Sequence, residues 1–105
     1  MATHYRGVAD WWGRHVWAER DGVRGSLSHR GEDPRVAYAW GRSGLGAREL
    51  ARALLLDATD SAALSERYCR DFTHEVLAHL PESGFVLGRD DILAWIADRP
   101  GERTG

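Results

Sequence analysis

Val36-Ala37-Tyr38-Ala39-Trp40-Gly41-Arg42-Ser43-Gly44-Leu45-Gly46 is the stretch that decides the fold. Residues 36–40 alternate in the manner of a strand, with two alanines on one face, and the glycines that follow mark a turn. From Ala47 the apolar period becomes helical. The stretch therefore predicts a strand that turns into a helix, and the small alanine face predicts close packing of that strand against a helix.

Two helices are predicted beyond this turn. The first has an apolar stripe at intervals of four residues and should end near Thr59, whereas the second is capped by Asp60 or Ser61 and runs to Pro81. The stripes consist of Leu50, Ala51, Leu54, Leu55 and Ala58, and of Leu64, Tyr68, Cys69, Phe72, Val76, Leu77 and Leu80. A brief extended segment at 85–87 should precede a last helix that begins at Gly88 or Asp90, ends before Pro100 and turns Ile92, Trp95 and Ile96 inward.

The residues before the turn have the signals of a small sheet. Residues 5–8 form a strand candidate, and residues 15–27 form a hairpin around the turn dipeptide Asp21-Gly22, followed by an exposed, flexible loop at 28–35. We expect an α+β fold in which a small, mostly antiparallel N-terminal sheet packs against two antiparallel helices and a short C-terminal helix. Residues 1–100 should form one domain and residues 101–105 a frayed tail.

Composition narrows the function classes. All 14 Lys and Arg positions are arginine, yet the formal net charge is −2, so the broad basic surface of a duplex-binding domain is absent. The single cysteine, Cys69, allows no internal disulfide, and no apolar run is long enough for a signal peptide or a membrane span. These features predict a cytoplasmic protein with no membrane partner.

The glycine-rich turn suggests an anion site, because the N-terminus of a helix presents free amides and a positive dipole end. The spacing fits neither a Walker loop, which needs a lysine, nor the glycine pattern of dinucleotide-binding loops. Glycines that provide positive φ angles and close packing explain the turn more simply. The remaining anion-binding candidates are Arg42, Gly44, Gly46 and Arg48.

No metal or cofactor is predicted. His74 and His79 are five residues apart, so on one helix their side chains would point about 140° apart and could not share a metal ion. Cys69 and His74 have the same spacing, and Cys69 borders the apolar stripe, which favours a buried, inert thiol over a nucleophile. No pair of carboxylates stands out as an acid and base, so no catalytic residue is assigned.

The tryptophans are the strongest remaining signal. Trp40 and Trp95 lie in periodic segments typical of a core, whereas Trp11 and Trp12 are consecutive and would point to opposite sides of an extended chain. In that case one of the two could remain partly exposed as a binding anchor, although packing over the open face of a small sheet is the more common arrangement for such residues. The candidate partner-binding residues are Trp11, Trp12, Arg6 and Arg14, with Arg42 as a further neighbour.

Short motifs along nearly the whole chain together resemble one family. They are Tyr5-Arg6-Gly7, Trp40-Gly41 with Ser43-Gly44, residues 49–55, Tyr68, Phe72, Glu75-Val76, Leu80-Pro81, residues 84–87 and residues 91–96. In this order they resemble the DUF6166 family of unknown function, whose members are short proteins of bacteria, archaea and their phages. The resemblance implies a compact domain and an association with mobile elements, and it implies no activity.

Three functional hypotheses follow. The first is a non-enzymatic interaction protein, encoded by a phage or another mobile element, that binds a protein partner through the tryptophans and nearby arginines. The alternative is a nucleic-acid-binding accessory protein that uses exposed Trp and Arg side chains. The third is a small enzyme with an anion site at the glycine-rich turn. A free sheet edge would also allow a homodimer.

Overall fold

The computed structural model describes residues 2–11, 13–27 and 38–99, and the predicted loop at 28–35 and tail at 101–105 lie outside these ranges. Four strands and three α-helices follow one another along the described chain. Their bounds are β1 Thr3–Asp10, β2 Gly13–Arg20, β3 Val23–Ser26, α1 Leu45–Thr59, α2 Ala62–Glu75, β4 Gly84–Gly88 and α3 Arg89–Ala97, with a short 3-10 helix at Leu77–His79 between α2 and β4.

The strands form one antiparallel sheet in the order β3-β2-β1-β4. The predicted hairpin at 15–27 is confirmed as β2 and β3, and its turn residues Asp21 and Gly22 have φ angles of 53° and 84°. Positive φ at both central residues is what a two-residue hairpin of this twist requires. The predicted α+β class is confirmed, although the fourth strand comes from residues near the C-terminus.

The prediction of a strand at residues 36–40 is wrong for residues 38–40, which the structure describes. Residues 38–40 lie outside the sheet, while residues 36 and 37 are outside the described ranges. The backbone amide of Ala39 donates to the carbonyl oxygen of Gly46, and that of Gly41 donates to Leu77. These amides are therefore satisfied by helical segments rather than by a neighbouring strand, and β4 occupies the edge beside β1.

Helix α1 confirms the predicted stripe, because Leu50, Leu54 and Leu55 are fully buried in the core. It begins at Leu45, two residues before the predicted start at Ala47, and ends at Thr59 as predicted. Its neighbour α2 begins after Ser61, whose hydroxyl accepts a hydrogen bond from the Leu64 amide at 3.2 Å. The predicted N-cap of α2 is thus Ser61 rather than Asp60.

The second helix is shorter than the sequence predicts. It ends at Glu75, and the chain tightens into the 3-10 helix before Leu80 becomes extended with ψ of 149°. The residue before a proline is disfavoured in helical conformation, and Pro81 follows Leu80. The predicted apolar stripe nevertheless faces the core, because Tyr68, Phe72 and Leu77 are buried and Leu64, Val76 and Leu80 are partly buried against it.

One core cluster joins the sheet to the helices. Tyr5, Ala18 and Phe85 enter it from the sheet, and the ring of Trp40 meets Phe85 edge-on at 5.0 Å between centroids. The predicted burial of Trp40 is therefore confirmed, whereas Trp95 is half-buried and packs against the edge of the core. Within the described ranges, no helix is long and apolar enough to cross a membrane.

Candidate functional site

The two faces of the sheet have opposite environments. Directly paired residues of neighbouring strands share a face, so the register divides the strands into two sets. The inner face, which includes Tyr5, Gly7, Ala18 and Phe85, lies on the core. We call the opposite set the outer face, and it consists of His4, Arg6, Val8, Asp10, His15, Trp17, Glu19, Arg24 and Val86.

Trp17 is the centre of the outer face. The guanidinium of Arg24 lies 4.1 Å from the centroid of the Trp17 ring, and the indole N–H of Trp17 donates to Glu19 Oε2 at 3.0 Å. The Nε of Arg6 donates to the other oxygen of Glu19, also at 3.0 Å. Both donors favour the charged carboxylate and, with the Trp17 bond as the larger cause, hold the pKa of Glu19 below its usual value.

Apolar groups beside this cluster are open to solvent. Val8 is 38% exposed and Val86 is 52% exposed, and they lie on the neighbouring strands β1 and β4. At the end of the same hairpin, Trp11 occupies the turn between β1 and β2 and is 92% exposed. Of the two readings left open for the paired tryptophans, Trp11 follows the exposed one, while Trp12 lies outside the described residues.

The two predicted arginines are not brought together. Arg6 lies on the outer face, whereas Arg14 of β2 lies on the opposite side and donates to the Trp40 carbonyl oxygen at 2.8 Å. The Arg14 guanidinium also lies 4.9 Å from the centroid of the Trp40 ring and contacts Glu82. Arg14 thus links β2 to the chain before α1. Of these two predicted arginines, only Arg6 lies on the outer face.

Three residues of the candidate anion site, Gly44, Gly46 and Arg48, lie at the start of α1, whereas Arg42 forms an ion pair elsewhere. Gly41 and Gly44 have φ angles of 79° and 135°, in agreement with glycines required by the turn, and Gly44 is the N-cap of α1. Gly46 and the exposed Arg48 lie in the first turns of that helix. Arg42, which is also exposed, forms an ion pair with Glu82 at 3.5 Å.

The two histidines of the rejected metal pattern are exposed, whereas Cys69 is buried. His74 is in the last turn of α2 and His79 is in the 3-10 helix, so the single helix assumed for their angle is interrupted, and both are exposed. Cys69 is buried with its thiol 3.6 Å from the Glu66 carbonyl oxygen, which confirms the predicted buried thiol. Among the described residues, no group of three or more His, Cys, Asp or Glu could hold a metal ion.

Sequence reasoning missed a partly buried polar cluster beneath the inner face, in which the Tyr5 side chain is buried and that of Arg20 is half exposed. The hydroxyl of Tyr5 donates to Asp57 Oδ2 at 2.6 Å, and Arg20 donates to the other oxygen of Asp57. Burial, followed by the hydrogen bond to Asp57, raises the pKa of Tyr5. Arg89 donates to the Ala58 carbonyl oxygen at 2.9 Å, so the end of α1 is tied to β1, β2 and α3.

The outer face was also missed, although its signal is in the sequence. His15, Trp17 and Glu19 alternate with Val16 and Ala18, which marks a solvent-facing set on β2. The partner residues Arg24 and Val86 could not be assigned to the same face because strand register depends on long-range pairing. Trp17 is therefore a candidate site residue that only the structure identifies.

These elements define a small α+β domain with an antiparallel four-stranded sheet, one face of which carries the half-buried Trp17 together with exposed aliphatic and arginine side chains. The chain belongs to the family of unknown function DUF6166, whose model matches residues 5–98. No curated protein matches the chain, and no solved structure matches it.

Proposed function

We propose that the protein is a non-enzymatic interaction domain that binds a protein partner through Trp11 and the outer face. The observation that carries the proposal is the 92% exposure of the Trp11 side chain at the tip of a hairpin. Covering such a side chain removes a large apolar area from water, and tryptophan is enriched among the residues that dominate binding energy. An origin in a phage or another mobile element and a cytoplasmic location belong to the same proposal.

The chemistry of the outer face supports a protein partner. Val86 lies opposite Arg6 on β4, Val8 is two residues further along β1, and both offer apolar contact. Trp17 with Arg24 adds a preassembled aromatic and cationic pair. Aromatic residues and arginine are the types enriched in protein interfaces. The side chains of the outer face come from all four strands of the sheet, so a folded partner surface or an extended segment could contact several of them at once.

The alternative is nucleic-acid binding, and it has one specific observation in its favour. An exposed Trp11 and an arginine stacked on Trp17 are groups on which bases stack. The charge of the outer face argues against it, because Arg6 and Arg24 are balanced by Asp10 and Glu19. Binding to single-stranded nucleic acid normally relies on a positively charged groove and weakens steeply with salt.

The decisive experiment compares variants of the tagged full chain as bait in extracts of its native host. Trp11→Ala should reduce recovery of the specific partner about tenfold or more, since loss of a tryptophan hot spot costs at least ~2 kcal/mol. A Val8→Ser, Val86→Ser double variant should reduce it as well. Leu45→Ala is the matched control, because Leu45 is 63% exposed on α1 and should leave recovery unchanged.

The conditions of the same experiment separate the alternatives. Recovery should survive nuclease treatment and fall only slightly between low and physiological salt if the partner is a protein. Equal recovery with wild-type and Trp11→Ala bait would show that the site is wrongly assigned. Sedimentation at two concentrations tests whether the bait is itself a homodimer through a sheet edge, where β3 and β4 are the outermost strands of the described sheet.

A further inference from the structure

A cleft lies where the C-terminal end of α2 meets β4 and α3. Its volume is about 190 Å³, and six side chains line it: Phe72, Val76, Leu87, Asp91, Ile92 and Trp95. Five of these are apolar, and the sixth is a carboxylate. Leu87 is adjacent in sequence to Val86, so the cleft and the outer face lie on opposite sides of β4.

The Trp95 ring, which lines the cleft, is restrained by several neighbouring side chains. The Trp95 ring meets Phe72 edge-on at 5.1 Å and Tyr68 edge-on at 5.9 Å, and the Arg99 guanidinium lies 4.7 Å from its centroid. Arg99 is in turn fixed by Asp71, at 2.7 Å, and by Glu75. A ring restrained by several neighbours presents a preformed surface, which lowers the ordering cost of binding.

The polar group of Trp95 is already used outside the cleft. The Glu75 carboxylate accepts hydrogen bonds from Arg99 and from the indole N–H of Trp95. The bond from Arg99 is the larger of these two causes, and both hold the pKa of Glu75 below its usual value. Glu75 does not line the cleft. The indole therefore offers the cleft hydrocarbon surface rather than a hydrogen-bond donor.

The volume limits the size of a ligand. An apolar cavity of about 150 Å³ in another protein stays dry and binds benzene. Pockets for drug-sized ligands have volumes of about 300 to 1,000 Å³. A cleft of about 190 Å³ therefore suits one ring or two fused rings and is too small for a nucleotide or a dinucleotide cofactor.

Asp91 gives the ligand a polar requirement. One of its oxygens, Oδ2, accepts a hydrogen bond from the Gly88 amide at 2.9 Å and so caps α3. A carboxylate can accept about four hydrogen bonds, so acceptor capacity remains on this exposed side chain. We propose that the cleft binds a small planar aromatic molecule with one N–H donor, whose ring contacts Leu87 and Trp95 and whose N–H donates to Asp91.

The experiment uses two probes of equal shape, indole and indene, which differ in the presence of an N–H group. Methyl-detected NMR of the full chain should show saturable shifts at Val76, Leu87 and Ile92 with both probes. Indole should bind about tenfold more tightly, since a hydrogen bond to a charged group contributes about 1.5 kcal/mol or more. Asp91→Asn retains an acceptor for the Gly88 amide but removes the charge, and should reduce this ratio to about threefold or less.

A filled cleft provides the second arm. Val76→Phe places a ring in the cleft and should weaken indole binding by about tenfold or more, whereas Leu45→Phe adds a ring at an exposed position of α1 that does not line the cleft and should leave indole binding unchanged. Circular dichroism establishes whether both variants fold. If Val76→Phe does not fold, the comparison of indole with indene in Asp91→Asn still tests the proposal. Absence of saturable shifts, equal affinity for indole and indene, or wild-type affinity in folded Val76→Phe would each overturn the proposal.

Discussion

The two faces of the sheet differ in how deeply their side chains are buried and in what those side chains contact. On the inner face Tyr5 is fully buried, and the ring of Phe85 lies directly over Gly7. On the outer face Arg6 is half exposed, and its partners are other side chains at the surface. Because strand residues alternate between faces, consecutive positions such as Tyr5 and Arg6 belong to different environments.

This difference separates stability from recognition along the same strands. Inner-face residues are restrained by packing and by the cluster around Asp57, so their replacement should be measured as lost folding free energy. Outer-face residues contact solvent and one another, so their replacement should be measured as lost binding. Four predictions test the separation, beginning with the substitution expected to have the largest effect.

Gly7→Ala should destabilise the protein by about 3 kcal/mol, the upper part of the usual range for overpacking a core. The added Cβ would lie 2.2 Å from Cε2 of the Phe85 ring, which is buried and also packed against Trp40. Neither the ring nor the backbone of β1 can move away without disturbing the core. Urea denaturation followed by circular dichroism measures the change.

Gly25→Ala is the matched control for this substitution. By register Gly25 lies on the inner face of the edge strand β3, where it is exposed, and the nearest atom to its added Cβ is the Ala18 carbonyl oxygen at 3.9 Å. Its stability should remain within about 0.5 kcal/mol of wild type or rise, because alanine lowers the entropy of the unfolded chain. Similar losses in the two variants would show that glycine flexibility, rather than contact with Phe85, explains the Gly7 effect.

Tyr5→Phe should cost about 1 to 2 kcal/mol, because it removes the hydrogen bond to Asp57 and leaves the aromatic ring in place. Asp57 keeps Arg20 as a partner, which limits the loss. A double-mutant cycle with Asp57→Asn measures the coupling between the two side chains, and we expect about 1 kcal/mol. A coupling near zero would show that the hydroxyl contributes nothing through Asp57.

Stability should fall at alkaline pH by about 1.4 kcal/mol per pH unit from the ionisation of Tyr5 alone. The pKa of Tyr5 is raised in the folded protein by burial and by Asp57, while the unfolded chain titrates near pH 10. The contribution is therefore complete below about pH 10 and declines as the pH rises from there towards the folded pKa. Lysine is absent, so no lysine titration overlaps this window.

The Tyr5→Phe variant isolates this dependence. Denaturation at pH 9.0 to 11.5, in steps of about half a unit, should give a wild-type curve that falls more steeply than the curve of the variant. The difference between the two curves is the contribution of Tyr5. Parallel curves would contradict the raised pKa, whatever the remaining tyrosines and Cys69 contribute.

Local patterns predicted the elements whose determinants are close together in sequence. Asp21-Gly22 identified the hairpin turn because both residues tolerate positive φ, and the Leu50 and Leu54 stripe identified the buried face of α1. The exposure of Trp11 itself was not predictable, because the alternation argument assumes an extended segment and does not say which of two adjacent tryptophans is exposed, whereas Trp11 lies in the turn between β1 and β2.

Long-range satisfaction of the backbone was not predictable from the same patterns. The alternation at residues 36–40 resembles a strand, yet Ala39 donates to Gly46 and Gly41 donates to Leu77. Nothing local indicates that residues 84–88 pair with β1, or that this pairing places Val86 beside Arg6. The candidate surface therefore depends on strand register, and of its residues the sequence identified only Trp11 and Arg6.

The smallest effects are expected on the outer face, where Trp11→Ala and Arg6→Ala should each change the free energy of unfolding by less than about 0.5 kcal/mol. Trp11 is almost fully exposed, and the ion pair of Arg6 with Glu19 joins side chains that are 45% and 28% exposed. Denaturation under the conditions used for Gly7→Ala gives a direct comparison. A loss above about 1 kcal/mol in either variant would mean that the outer face supports the fold, and weaker partner recovery by that variant could then reflect unfolding. Unchanged stability with lost recovery would instead assign the exposed tryptophan and its neighbouring face to recognition alone.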